Sequence, residues 1–189
     1  MTLRPYQQAA VDAAVEWMRK SLAPACIEAA TGAGKSHIIA EIARQIHHQT
    51  SKRVLCLAPS AELVVQNHGK YLASGHRSSM FSASAGAKEL RYSVVFGSPL
   101  TVKNRISAFK RAGADGYALV VIDEAHGITP TVQGIVAEMR QGNPNLRVLG
   151  LTATPYRLGS GWIFREDAEG RINGEDTARD PYFANCVYK

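Results

Sequence analysis

The chain has 189 residues, 46% apolar, 20% charged and 7% aromatic, a globular balance that fills one core rather than two. No apolar run approaches the roughly 18 to 20 residues that cross a bilayer, and Met1 to Tyr6 has no basic segment leading into an apolar one. A soluble, cytoplasmic, monomeric chain without a membrane role is therefore expected; its three cysteines (Cys26, Cys56, Cys186) argue against a disulfide framework or zinc site, and its formal charge of +6 hints at an anionic partner.

In chain order, the pattern predicts a helix over Pro5 to Lys20, with Pro5 at its first position and Val11, Ala14, Val15, Trp17 and Met18 turned inward. A strand follows at Ala25 to Ala29, then a helix at Lys35 to Gln49, a strand at Val54 to Ala58 and a helix at Ala61 to Ala73. Small residues from Ser78 to Ala87 read as a short strand (Met80 to Ala83) plus a mobile loop. Strands are predicted again at Val94 to Gly97, Leu119 to Asp123 and Arg147 to Leu151. Helices at Thr101 to Arg111 and Thr131 to Gln141 separate them, the latter carrying Val132, Ile135, Val136 and Met139 on one stripe. Apolar strands alternating with helices imply βαβ units and a largely parallel sheet covered on both faces. Beyond Pro155 the charged, glycine-dotted sequence has little periodicity and is expected to be irregular.

Between the first strand and the second helix lies Ala29-Ala30-Thr31-Gly32-Ala33-Gly34-Lys35-Ser36. A strand-to-helix turn of this composition lets the backbone N–H groups of Thr31, Gly32, Ala33 and Gly34 converge with a helix N-terminus on phosphates. Lys35 would reach the β- and γ-phosphates and the Ser36 hydroxyl a magnesium ion. Ala29 stands where the usual pattern has its first glycine, at the position furthest from the lysine. The most apolar strand ends in Asp123-Glu124-Ala125-His126. A buried strand ending in two carboxylates places Asp123 to hold Mg²⁺ through its water shell and Glu124 to orient an attacking water. The bland alternative, a helix cap with an acidic first turn, loses force beside a phosphate loop.

Charge is unevenly spread. From Lys70 to Arg111 eight basic residues, among them Lys70, Arg77, Lys103 and Arg105, face one acid, Glu89. One-sided stretches of this length suit a phosphate-bearing polymer better than a solvated face. His37, His47, His48, His68 and His76 lack acidic or cysteine partners at ligand spacing and read as surface or packing residues.

Across nearly its whole length the sequence resembles the superfamily 2 helicases and nucleic-acid translocases. Ala29 to Ser36 is similar to their motif I, Asp123 to His126 to the DEAH form of motif II, and Leu151-Thr152-Ala153-Thr154-Pro155 to motif III. Leu3-Arg4-Pro5-Tyr6-Gln7 resembles the upstream adenine-reading motif, which implies Gln7 and Arg4 at the adenine edge. Leu57-Ala58-Pro59-Ser60-Ala61-Glu62-Leu63 is similar to motif Ia and Gly97-Ser98-Pro99-Leu100-Thr101 to motif Ib. The resemblance implies DNA backbone contacts at Pro59, Ser60, Gly97 and Ser98, to which Lys103 and Arg105 would add nonspecific phosphate contacts. It also implies that His126, Thr152 and Thr154 transmit the nucleotide state. Leu3 to Gln8, Val95 to Ser98 and Leu149 to Gly159 followed by Gly161-Trp162-Ile163 resemble, more narrowly, the bacterial RadD (YejH) DNA-repair ATPases.

The implied fold class is α/β, a RecA-like P-loop NTPase domain with a mostly parallel sheet and helices on both faces, spanning residues 1–155, with 156–189 as a tail. In this superfamily a second motor lobe follows motif III and brings arginine fingers, typically worth about 10³ to 10⁵ in turnover. A lobe needs roughly 100 residues or more, so the chain is expected to be one part of a longer polypeptide. It should bind ATP and Mg²⁺ yet hydrolyse weakly alone. Other readings stay open: an RNA helicase lobe, a restriction-type DNA translocase lobe, or a nucleotide-gated binding module without turnover.

Overall fold

The computed structural model describes residues 2–172 and 181–189. Helix α1 (Pro5–Lys20) starts with Pro5 at N1, a position where the missing N–H costs nothing. Strand β1 (Ala25–Glu28) leads to α2 (Lys35–Thr50), β2 (Arg53–Leu57) to α3 (Ala61–Ala73), and β3 (Ser79–Ser82) turns into β4 (Ala87–Lys88). Strand β5 (Val94–Gly97) precedes α4 (Pro99–Lys103), and β6 (Tyr117–Asp123), α5 (Pro130–Gly142) and β7 (Arg147–Thr152) follow. The main sheet has nine strands in the order β10-β11-β1-β7-β6-β2-β5-β3-β4, where β10 is Phe164–Glu166 and β11 is Phe183–Tyr188. Every pairing in it is parallel except β3 with β4.

Alternation along the strands sends side chains to two cores. Val54, Cys56, Leu119, Val121, Leu149 and Leu151 pack with α1, α2 and α3, while Leu55, Leu57, Val120, Ile122 and Val148 pack with α5 and Phe109. A fully buried side chain such as Ile39, Ile42 or Leu55 contributes roughly 1.5–3 kcal/mol. All three cysteines are free and buried.

Three expectations need correcting. The helix expected over Thr101 to Arg111 stops at Lys103, where Asn104 caps it through its N–H to Leu100 O at 3.0 Å. Short 3₁₀ turns at Ile106–Ala108 and Gly113–Asp115 continue the chain. This break lets Phe109 enter the core between Phe81 and Tyr117, with ring centroids at 5.2 and 5.7 Å. The loop expected after β3 is a tight hairpin into β4, closed by Gly86 at φ +78°. Finally, the stretch expected to be irregular holds a small hairpin, β8 (Tyr156–Arg157) with β9 (Gly161–Trp162), and two strands of the main sheet. β11 pairs in parallel with β1, and the Phe183 ring occupies the space over Gly150 where a Cβ would lie 2.5 Å from it. Residues 173–180 lie outside the described residues, so the expectation for that part of the tail is not addressed.

Because the strands run parallel, their carboxyl ends share one edge, where ligands bind in open α/β sheets. β1 ends at the Ala29–Ser36 loop, β6 at the two acids, and β7 lies between them and ends at Thr152.

Candidate functional site

The loop from Ala29 is tied to the sheet by Ala29 N–H donating to Thr152 O at 2.8 Å. Gly32 and Gly34 adopt φ of +82° and +79°, the left-handed region where a side chain is strained. At Gly34 an added Cβ would also lie 2.5 Å from Gln7 Nε2. Left-handed glycines let the chain curl over the N-terminus of α2, whose first residue is Lys35. Thr31 and Gly32 are exposed, while the Ala33 N–H donates inward to Ala30 O at 3.0 Å.

Across β7, Lys35 Nζ lies 3.3 Å from Glu124 Oε1. Glu124 has φ +51°, a left-handed conformation costly for a residue with a side chain. This turn also brings Glu124 Oε2 to 3.3 Å from His126 Nδ1. His126 Nδ1 in turn sits 2.9 Å from Thr152 Oγ1, which accepts from the Thr154 N–H at 3.1 Å. The structure thus brings Lys35, Glu124, His126, Thr152 and Thr154 into one connected set.

Asp123 is 5% exposed and accepts from Asn67 Nδ2 at 2.8 Å and from the Glu124 N–H at 2.9 Å. Ser36 is buried and its Oγ accepts from Gln66 Nε2 at 3.1 Å. Burial pushes the Asp123 carboxyl above its ordinary value, opposed by the Asn67 and Glu124 hydrogen bonds and by the Lys35 charge. An acid raised on folding binds more protons in the native than the unfolded state. Its stabilising effect is complete below the unfolded pKa of about 3.9 and is lost as pH rises through the higher folded value. Asp123→Asn should therefore be more stable than wild type near pH 7 in magnesium-free buffer, with the gap closing toward pH 4. Urea denaturation at the two pH values measures this, and a gap that does not narrow in acid would contradict it.

Gln7 is buried against the loop: its Nε2 donates to Ala33 O at 2.8 Å and its Oε1 accepts from the Arg4 N–H at 2.9 Å. Tyr6 donates to the same carbonyl at 3.0 Å. The Arg4 side chain is exposed and reaches Tyr6 Oη at 3.4 Å. Arg4 and Gln7 thus flank the loop, with the Gln7 amide already engaged at both ends. Burial, with the charges of Lys70 and Arg4, holds the His37 imidazole below its usual range.

A cleft of about 490 Å³ runs from Asp123 and Glu124 past Pro59 and Ser98 to Leu100 and Asn104. Ser60 caps α3, accepting from the Leu63 N–H at 3.3 Å, and Ser98 donates to Thr101 Oγ1 at 2.9 Å. Gly97 is buried at the end of β5, where a Cβ would lie 3.1 Å from Phe81 O; Lys103 and Arg105 are exposed beyond the cleft. Sequence reasoning missed Gln66 and Asn67. Asn67 stands on the buried stripe Val64, Asn67, Tyr71 of α3, and a polar residue on such a stripe signals a buried partner. Among the described residues no group of His, Cys, Asp and Glu could by itself hold a metal ion, and no helix is long and apolar enough to cross a membrane.

Residues 1–157 match the family described as Type III restriction enzyme, res subunit. The genome polyprotein of classical swine fever virus (strain Alfort/Tuebingen) is 31% identical over 140 residues, covering 68% of this chain and 3% of the polyprotein. Among solved structures, the fold is similar to the UvsW helicase from bacteriophage T4 (TM-score 0.63, 20% identity, 82% of this chain and 54% of that one). It is similar to the Type ISP restriction-modification enzyme LlaGI (TM-score 0.68, 16% identity, 100% of this chain and 20% of that one). The Hef helicase domain of Pyrococcus furiosus gives a TM-score of 0.57 at 26% identity, over 83% of this chain and 35% of that one. The chain thus spans a small part of the polyprotein and about half or less of these structures. With its Ala29–Ser36 loop set against two strand-end carboxylates on a mostly parallel sheet, the chain belongs to the type III restriction enzyme res subunit family and has the α/β RecA-like fold of a helicase lobe.

Proposed function

We propose that this lobe binds ATP and Mg²⁺ as one half of a DNA-dependent ATPase, a DNA-repair helicase or translocase whose second lobe lies in the same longer polypeptide. The observation that carries the reading is the 3.3 Å approach of Lys35 Nζ to Glu124 Oε1 across β7, which sets the loop lysine against the strand-end acids. The left-handed glycines and the N-terminus of α2 fit a triphosphate, with Thr31, Gly32, Ala33, Gly34, Lys35 and Ser36 around it. The oxygen-donor pair Ser36 and Asp123 suits magnesium, which when bound would spread the charge of the β- and γ-phosphates. Arg4 and Gln7 flank the loop where adenine would lie.

Lys35 would exchange Glu124 for phosphate oxygens. Glu124, released, would orient the attacking water, and His126, Thr152 and Thr154 would feel the change through their hydrogen bonds. The cleft past Pro59 and Ser98, with Ser60 at the cap of α3, Gly97 at the end of β5 and Lys103 and Arg105 outside it, would take the DNA backbone without reading bases. The RadD-like segments Leu3 to Gln8, Val95 to Ser98 and Leu149 to Gly159 support the repair assignment. Among the structural neighbours, LlaGI was solved with a DNA substrate mimic and the Sulfolobus solfataricus SWI2/SNF2 ATPase core with dsDNA, which supports DNA as the polymer. A restriction-type DNA translocase lobe is the second reading, favoured by the family match over residues 1–157.

The test is phosphate release from ATP by the two-lobe polypeptide and by this chain, with single-stranded DNA, duplex DNA or RNA at matched salt. DNA should stimulate the two-lobe protein, while the isolated lobe turns over about 10³-fold more slowly or less for want of arginine fingers. Stimulation by duplex alone would favour the translocase reading. Preferential stimulation by RNA, or none by any polymer, would overturn the DNA-dependent assignment.

A further inference from the structure

Two consecutive side chains of α3 reach the two residues expected to hold magnesium. Gln66 Nε2 donates to Ser36 Oγ at 3.1 Å, and Asn67 Nδ2 donates to Asp123 Oδ2 at 2.8 Å. Neighbouring helix positions point about 100° apart, so such a pair serves two separate elements, here the first turn of α2 and the end of β6.

Asn67 carries a second observation. It is 2% exposed, and its Oδ1 finds no hydrogen-bond partner among the described residues. Buried amide oxygens are rarely left so, and those that are ask for a water or an ion. Ser36 Oγ, accepting one bond from Gln66, keeps a further lone pair, and Asp123 accepts through its two oxygens from Asn67 and its neighbour's N–H.

We propose that Gln66 and Asn67 are positioning residues for the magnesium of the nucleotide complex, resting on the ATP-Mg²⁺ reading above. Asn67 holds the Asp123 carboxylate in place and offers its Oδ1, without a partner among the described residues, to a water of the ion's shell. Gln66 fixes the Ser36 hydroxyl so that its remaining lone pair is available to the ion. Partners of this outer kind commonly set metal affinity about 10- to 100-fold without touching the metal. Both sit on the helix capped by Ser60, so the rigid body that borders the cleft also carries the groups that aim the metal ligands.

The test is a titration of this chain with a fluorescent ATP analogue, over a Mg²⁺ series and again in EDTA. Gln66→Ala and Asn67→Ala should each raise the Mg²⁺ concentration for half-maximal response about 10-fold or more, leaving affinity in EDTA within about two-fold. Circular dichroism melts report whether each variant folds. If Asn67→Ala does not, the more exposed Gln66→Ala decides. Lys35→Ala, by contrast, should weaken the analogue in both series. Variants that fold and titrate with Mg²⁺ as wild type does, or that lose affinity equally in EDTA, would overturn this inference alone. A wild-type chain whose binding ignores Mg²⁺ would overturn the ATP-Mg²⁺ reading and this inference with it.

Discussion

Lys35→Ala in the two-lobe polypeptide is expected to lower ATP turnover by at least about 100-fold, the scale on which removal of one preorganised charge-stabilising donor acts. The physical reason is local. Lys35 opens α2, so its ammonium adds a full charge to the partial positive charge that the helix N-terminus already presents. Its present partner is Glu124 at 3.3 Å, and both side chains are mostly shielded from water, at 14% and 27% exposure. A lysine so placed can pass from one anion to another without crossing bulk solvent. Alanine leaves Glu124 without its cation and the phosphates without theirs. Phosphate release measured at saturating ATP checks the turnover; full activity in the variant would mean the triphosphate does not lie on this loop.

Glu124→Gln should separate binding from chemistry. The amide keeps the shape and the left-handed backbone of Glu124 but gives up the negative charge that holds Lys35 and His126. Turnover should fall about 10²- to 10⁴-fold, the range for loss of a positioned base. Nucleotide affinity should be unchanged or higher, because Lys35 no longer has to leave a carboxylate. Equilibrium titration of a fluorescent ATP analogue alongside phosphate release distinguishes the two quantities. A parallel loss of affinity and rate would show that Glu124 shapes the loop and does not act on water.

Much of this was legible because it is local. The strands at Val54, Val94, Leu119 and Arg147 are runs of aliphatic residues between turn signals, and their bounds in the sheet differ from the expected ones by a residue or two. Gly32, Gly34, Lys35, Asp123 and Glu124 announce themselves because the turn after a strand dictates which residue types can stand there. What was not legible depends on distant partners. β11 exists because β1 offers it an edge, and nothing in Phe183 to Tyr188 alone names that edge. The break after Lys103 answers to Phe109 finding Phe81 and Tyr117, a contact of residues far apart in sequence. Gln66 carries no recognisable pattern, and Asn67, a polar residue on the buried stripe of α3, signals a partner without naming it. Only the meeting of α2, α3 and β6 gives them partners.

Strand β11 bears on where this chain can be cut. It covers the flank of β1, the strand that feeds the phosphate loop, and Phe183 fills the hollow left by Gly150. Shortening the protein after the β8–β9 hairpin would strip that flank bare. The backbone N–H and C=O groups of Ala25 to Ile27 that now pair with β11 would be open to any passing extended segment, the situation that drives edge-to-edge aggregation. Chains trimmed there should clump even with every motif intact, whereas those retaining Tyr188 should stay dispersed.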